Sequence, residues 1–166
     1  MSEHVTRMTD RGVRWLAALE GGPKLEAYKD SGGVWTIGVG MIRWPSGRRV
    51  VEGDTIDAVE SADELFQWTL KHYERDVDAA TRDDLEPNEF DALVSLAYNI
   101  GVQAFRTSTV LKRINAKLGA HDVAEAWRRW RYDEGREVPG LLKRRDCEVQ
   151  VFYGGEYADQ GGGLIA

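Results

Sequence analysis

Two carboxyl groups and a hydroxyl fall within 17 residues: Glu20, Asp30 and Thr36. Together they suit hydrolysis of a glycosidic bond. That reaction needs one protonated carboxyl group to give its proton to the leaving oxygen. It needs a second, ionised one to orient water or attack the sugar. Glu20 follows an apolar helical stripe of Val13, Leu16 and Ala17. It suits the protonated role, because burial disfavours a charge. Asp30 opens a polar Ser-Gly-Gly turn and suits the ionised role.

The elements that must position these groups are legible locally. Thr9 or Asp10 can cap a first helix that runs to Glu20, and Gly21-Gly22-Pro23 cannot easily continue it. Asp30-Ser-Gly-Gly33 reads as a hairpin turn. Thr36 sits in the following strand. Alternation puts Trp35, Ile37 and Val39 on a core face, and Thr36 on a face opened by Gly38 and Gly40, where a ligand could approach. Arg48 to Val51 reads as a third strand after the Trp44-Pro45-Ser46-Gly47 turn, which completes a small antiparallel sheet and the only β signal in the chain.

Everything from Asp57 onward reads as helix. Ser61-Ala-Asp-Glu64 has the form of a capping box for a long amphipathic helix. Pro87 suits the first position of the next, with Phe90, Leu93, Val94, Ala97 and Ile100 as its stripe and Gly101 as its end. Ser108 is a cap, with Gly119 ending that helix. Asp122 and Glu125 start a helix carrying Trp127 and Trp130, which read as core, although their flat apolar faces could also line a sugar cleft. Pro139 opens the last helix, with Leu141, Leu142, Val149 and Phe152 as its apolar positions.

Composition sets further bounds. The chain has 166 residues and 42% hydrophobic content, enough for one domain with a core. No apolar run is long enough to span a membrane, and the polar N-terminus reads as neither signal peptide nor signal anchor. A single cysteine, Cys147, excludes an internal disulfide and fits a buried position. His4, His72 and His121 have no metal-site spacing. The net charge of −6 is uneven: residues 106–147 hold 11 basic and 6 acidic groups. That basic part could face an acidic polymer, although ordinary solvated helix surface also accounts for it. No nucleic-acid-binding motif accompanies the charge.

Several strings add a resemblance. Glu20-Gly, Leu25-x-Ala-Tyr-x-Asp30 and Gly32-Gly-Val-Trp-Thr-Ile-Gly-x-Gly40 closely resemble the phage-type, T4-like lysozymes. So do Asn88 to Gly101, Phe105 to Asn115, and Pro139-Gly-Leu-Leu-Lys-Arg-Arg145. The chain departs twice from the family pattern. It has one residue more between Glu20 and Asp30, and Met41 stands where a histidine often follows the Gly-x-Gly.

The resemblance implies an α+β, lysozyme-like fold: a small three-stranded antiparallel sheet lobe at about 21–56, and a larger helical lobe at about 57–154 that includes the N-terminal helix. A long helix would join them, and 155–166 would form a flexible tail. It implies an endolysin, an N-acetylmuramidase cutting the β-1,4 bond between N-acetylmuramic acid and N-acetylglucosamine of peptidoglycan for host lysis. Glu20 would be the general acid, and Asp30 and Thr36 would position water. Arg144 or Arg145 would approach Glu20. Inversion at the anomeric carbon would follow, which needs carboxyl groups roughly 6.5–9.5 Å apart. Neither cofactor nor metal is implied. The protein would act as a monomer and wait in the host cytoplasm for a holin to open the membrane. A lytic transglycosylase and a non-catalytic wall-binding domain of the same fold are the alternatives.

Overall fold

The computed structural model describes residues 3–166, which form two compact units: residues 13–71, and residues 3–12 together with 72–166. The boundaries fall inside helices α1 (Asp10–Leu19) and α2 (Val59–Ala80).

In the unit 13–71, α1 buries Val13, Trp15, Leu16 and Ala17. It ends in a Schellman turn: Gly22 N donates to Ala17 O at 2.8 Å and Gly21 N to Ala18 O at 3.1 Å. Gly21 adopts φ 90°, a value that strains any residue with a Cβ. Strands β1 (Lys24–Lys29) and β2 (Trp35–Gly38) form an antiparallel hairpin. Ile37, Met41, Val50, Ile56 and Ala62 make the core, with Leu25, Ala27, Trp35, Trp44 and Leu65 packed on it.

The expected third strand is absent. Isolated bridges Ile37↔Met41, Arg43↔Arg49 and Glu26↔Thr55 take its place. Turns at Gly38, Gly40, Gly47 and Gly53, all at positive φ, interrupt the chain too often for a ladder to grow. Asp54 holds this winding segment. Its Oδ2 accepts from Trp44 Nε1, Arg48 Nη1 and Val51 N, each at 3.0 Å, and its Oδ1 from Arg48 Nη2 at 3.1 Å. The Arg48 bonds, then those from Trp44 and Val51, hold the Asp54 carboxyl down at about 2.

The second unit is helical: the rest of α2, then α3 (Pro87–Ile100), α4 (Val102–Thr107), α5 (Thr109–Asn115), α6 (Ala120–Arg128) and α7 (Pro139–Gly154). α3 is its centre, buried from Phe90 through Ala97, and packs chiefly along α7. Most terminal signals hold. Thr9 Oγ accepts from Gly12 N at 2.9 Å, Ser108 Oγ accepts from Leu111 N at 3.1 Å, and Pro87 and Pro139 open their helices.

Others shift. α2 begins at Val59, so Ser61 lies inside it and caps nothing. Gly119 is the N-cap of α6, not the end of α5, and Trp130 lies beyond α6. A second hairpin, β3 (Tyr132–Asp133) with β4 (Arg136–Glu137), interrupts what read as continuous helix. Its reversal uses Glu134 at φ 45° and Gly135 at φ 78°.

Two buried polar centres organise this unit. Glu148 is fully buried on α7; it accepts from Ser95 Oγ and from Trp127 Nε1, both at 2.8 Å. Asp91, fully buried on α3, accepts from Thr9 N at 2.9 Å and from Thr9 Oγ and Tyr157 OH at 2.6 Å. The glycine-rich tail, expected to fray, is therefore tied down. Tyr157 is buried, Ala158 bridges Leu164, and Arg11 Nε donates to Ile165 O at 2.8 Å.

Candidate active site

Glu20, Asp30 and Thr36 all belong to the unit 13–71. Glu20 is the cap residue of the Schellman turn, its N–H donating to Leu16 O at 3.1 Å. It is exposed, where the apolar spacing placed it beside the core stripe. The turn explains the difference: the helix stops at Leu19, and Glu20 begins the chain reversal.

Asp30 closes the turn between the strands. Its N–H donates to Val34 O at 3.0 Å, and its carbonyl accepts from Gly33 N at 2.9 Å. Its Oδ1 accepts from Gly32 N and Val34 N, both at 2.9 Å. The two backbone bonds shape the turn, and the two to Oδ1 fix the carboxylate to it. Among the described residues nothing donates to Oδ2, so it stays open as an acceptor.

Thr36 is 3% exposed, against the open face expected for it. Gly38, its neighbour on that face, is covered: Ile56 Cδ1 lies 3.5 Å from where a Gly38 Cβ would stand. Ile56 comes from the winding segment, whose path the alternation of β2 could not reveal. The Thr36 hydroxyl donates to Val34 O at 3.0 Å. Its oxygen lone pairs are thereby left to accept. Asp30 and Thr36 thus share one backbone anchor: Val34 donates to Asp30 with its N–H and accepts from Thr36 with its carbonyl.

Arg144 and Arg145 belong to the other unit, at 4% and 0% exposure. Both pair with Glu148, Arg144 Nε to Oε1 at 3.3 Å and Arg145 Nε to Oε2 at 2.9 Å. Arg145 Nη2 also donates to Asn99 Oδ1 at 2.7 Å. The sequence reading missed Glu148, and one local signal could have found it: three and four residues separate it from two arginines on one helix face. Among the described residues, no group of three or more His, Cys, Asp or Glu is placed to hold a metal ion, and no helix is long and apolar enough to cross a membrane.

The sequence profile of the family described as phage lysozyme matches residues 18–148. The chain belongs to the phage lysozyme family. It is a peptidoglycan hydrolase of the phage endolysin type. The endolysin of Salmonella phage P22 is 40% identical over 146 residues, which is 88% of this chain and 97% of the relative. Among solved structures, the endolysin from Escherichia coli O157:H7 phage FAHEc1 superimposes with a TM-score of 0.83 at 34% identity, covering 96% of this chain and 100% of that one. The muramidase domain of SpmX from Asticaccaulis excentricus gives 0.74 at 31% identity, covering 91% and 99%. These neighbours bear out the lysozyme-like α+β class, with the strand count corrected as above.

Proposed function

We propose that this phage lysozyme hydrolyses the β-1,4 bond between N-acetylmuramic acid and N-acetylglucosamine, with inversion at the anomeric carbon. Glu20 gives a proton to the leaving glycosidic oxygen. A water held by Asp30 and Thr36 attacks the anomeric carbon and passes its proton to Asp30.

The observation that carries this reading is the shared Val34 anchor. It leaves Asp30 Oδ2 and the Thr36 oxygen as two acceptors on side chains anchored to one residue. A water donating one hydrogen to each turns its own lone pair outward. A lytic transglycosylase would use no such water, and a wall-binding domain would use no acid. The muramidase domain among the structural neighbours supports the same bond.

The test is digestion of purified glycan strands by wild type, Glu20→Gln, Asp30→Asn and Thr36→Ala. Loss of general acid catalysis should slow Glu20→Gln by about 10²-fold or more. Nuclear magnetic resonance should show the α-anomer first in wild-type products. An anhydro-sugar product would refute the water site, and full activity of Glu20→Gln would refute the acid.

The biological role we propose is host lysis. The protein would wait as a monomer in the cytoplasm until a holin opens the inner membrane. Expressed alone, it should leave cells intact until a membrane-permeabilising agent is added. Spontaneous lysis would count against this account.

A further inference from the structure

The winding segment of the unit 13–71 concentrates positive charge. Residues 41–51 hold Arg43, Arg48 and Arg49 and no acidic residue, in a unit whose 7 basic and 9 acidic side chains give a net charge of −2. Arg48 is taken up internally by Asp54, at 3.0 Å. Its guanidinium also lies 5.5 Å from the centre of the Trp44 ring. Arg43 and Arg49 are different.

They are partners in an isolated antiparallel bridge. The flanking hydrogen bonds run from Trp44 N to Arg48 O at 2.9 Å and from Val50 N to Ile42 O at 3.0 Å. Arg43 and Arg49 therefore form a non-hydrogen-bonded pair. That register brings opposite side chains closest, with Cα atoms about 4.5 Å apart. Alternation puts both on the face opposite Trp44 and Val50, which pack on the core. Both are exposed, and among the described residues neither pairs with a carboxylate. Arg43 Nη1 donates to Gly47 O at 2.9 Å, which ties its guanidinium to the tip.

Like charges directly opposite one another weaken a strand pair. Apart from the Arg43 bond to Gly47 O, the fold gains nothing visible from this one, since the turn is already held by Asp54, Trp44 and Arg48. Two guanidinium forks on one rigid face match an oxyanion, which they can bind with parallel N–H donors. Resting on the proposed peptidoglycan substrate, the geometry points to Arg43 and Arg49 as a paired clamp for a carboxylate of the peptidoglycan peptide stems. The clamp holds the enzyme on stem-bearing wall and takes no part in bond cleavage.

The experiment measures sedimentation with purified sacculi in the full chain carrying Glu20→Gln, so that the wall is not consumed. Adding Arg43→Gln and Arg49→Gln should weaken binding about three- to tenfold at low salt, and the difference should shrink as salt rises. Amidating the stem carboxylates should weaken the parent to the level of the double variant. Adding Arg136→Gln and Lys143→Gln removes the same charge from exposed positions elsewhere and should leave binding unchanged.

Unchanged binding by the arginine double variant overturns the clamp. So does equal weakening by the control pair, which would make net charge the cause. Arginine-dependent binding to phosphatidylglycerol vesicles but not to sacculi would overturn it in favour of a lipid phosphate. A fall in Tm for the double variant would assign the pair to the fold instead. Failure of the wild type to cleave stem-stripped glycan strands would overturn the catalytic reading itself, a separate result.

Discussion

Asp91→Asn exchanges a buried carboxyl group for an amide of nearly the same volume. In the folded protein burial is the main influence on Asp91, raising its pKa from 3.8 to about 6; bonds from Thr9 and Tyr157 pull the other way, and nearby Glu74 adds to the rise. The folded state therefore binds this proton more tightly than the unfolded chain does. Stability from Asp91 is fully present below the unfolded value of 3.8. It is lost as pH rises through about 6. At about 1.4 kcal/mol per pH unit, the loss across that window is about 3 kcal/mol.

Asparagine cannot titrate. It keeps an acceptor for Thr9 N–H, but its amide nitrogen cannot accept from the Thr9 and Tyr157 hydroxyls as Oδ2 does. Both hydroxyls lose that acceptor, at a cost of about 1–3 kcal/mol. The variant should be clearly less stable than wild type near pH 4, and equal or more stable at pH 7. Urea unfolding of both proteins at stepped pH measures this. Other carboxylates, such as Asp54 and Asp84, both held at about 2, titrate in each protein and cancel in the difference. Parallel stability curves from pH 4 to 7 would refute the reasoning, because they would mean that Asp91 titrates alike in both states.

Glu148→Gln should cost about 3–5 kcal/mol in urea unfolding, because it removes the buried carboxylate that pairs with both Arg144 and Arg145; a loss below about 1 kcal/mol would show that water reaches the site. Gly12→Ala should lower stability by at least about 1–3 kcal/mol, since an alanine Cβ would stand 2.3 Å from Asp91 Cγ and Oδ2. An unchanged Tm would mean that α1 slides away from α3 at no cost.

Where an element's end depends on nearby residues, the sequence was a good guide. The Thr9 and Ser108 caps, the proline starts at Pro87 and Pro139, and the Asp30 turn each rest on bonds within a few positions. The strand at Arg48 to Val51 failed because four glycine turns break pairing that alternation alone suggests. Tyr132 to Glu137 was hidden by its charged residues, which suit an exposed helix as well as a two-residue hairpin.

The sequence by itself determined the family and the hairpin that fixes Asp30, and it singled out Glu20, Asp30 and Thr36 as the candidates for the proposed chemistry, because these reside in residue types and short spacings. Tertiary structure alone decided which polar groups are buried. Asp91 meets Thr9 across 82 positions and Tyr157 across 66, and Glu148 meets Ser95 across 53. A lone Asp or Glu on a helix reads as solvated surface until distant partners close around it. The cover over Gly38, on the face that Thr36 shares, was likewise decided by Ile56, 18 residues further along. Burial depends on every element packed against a residue, and that packing is not written in the residue's own neighbourhood.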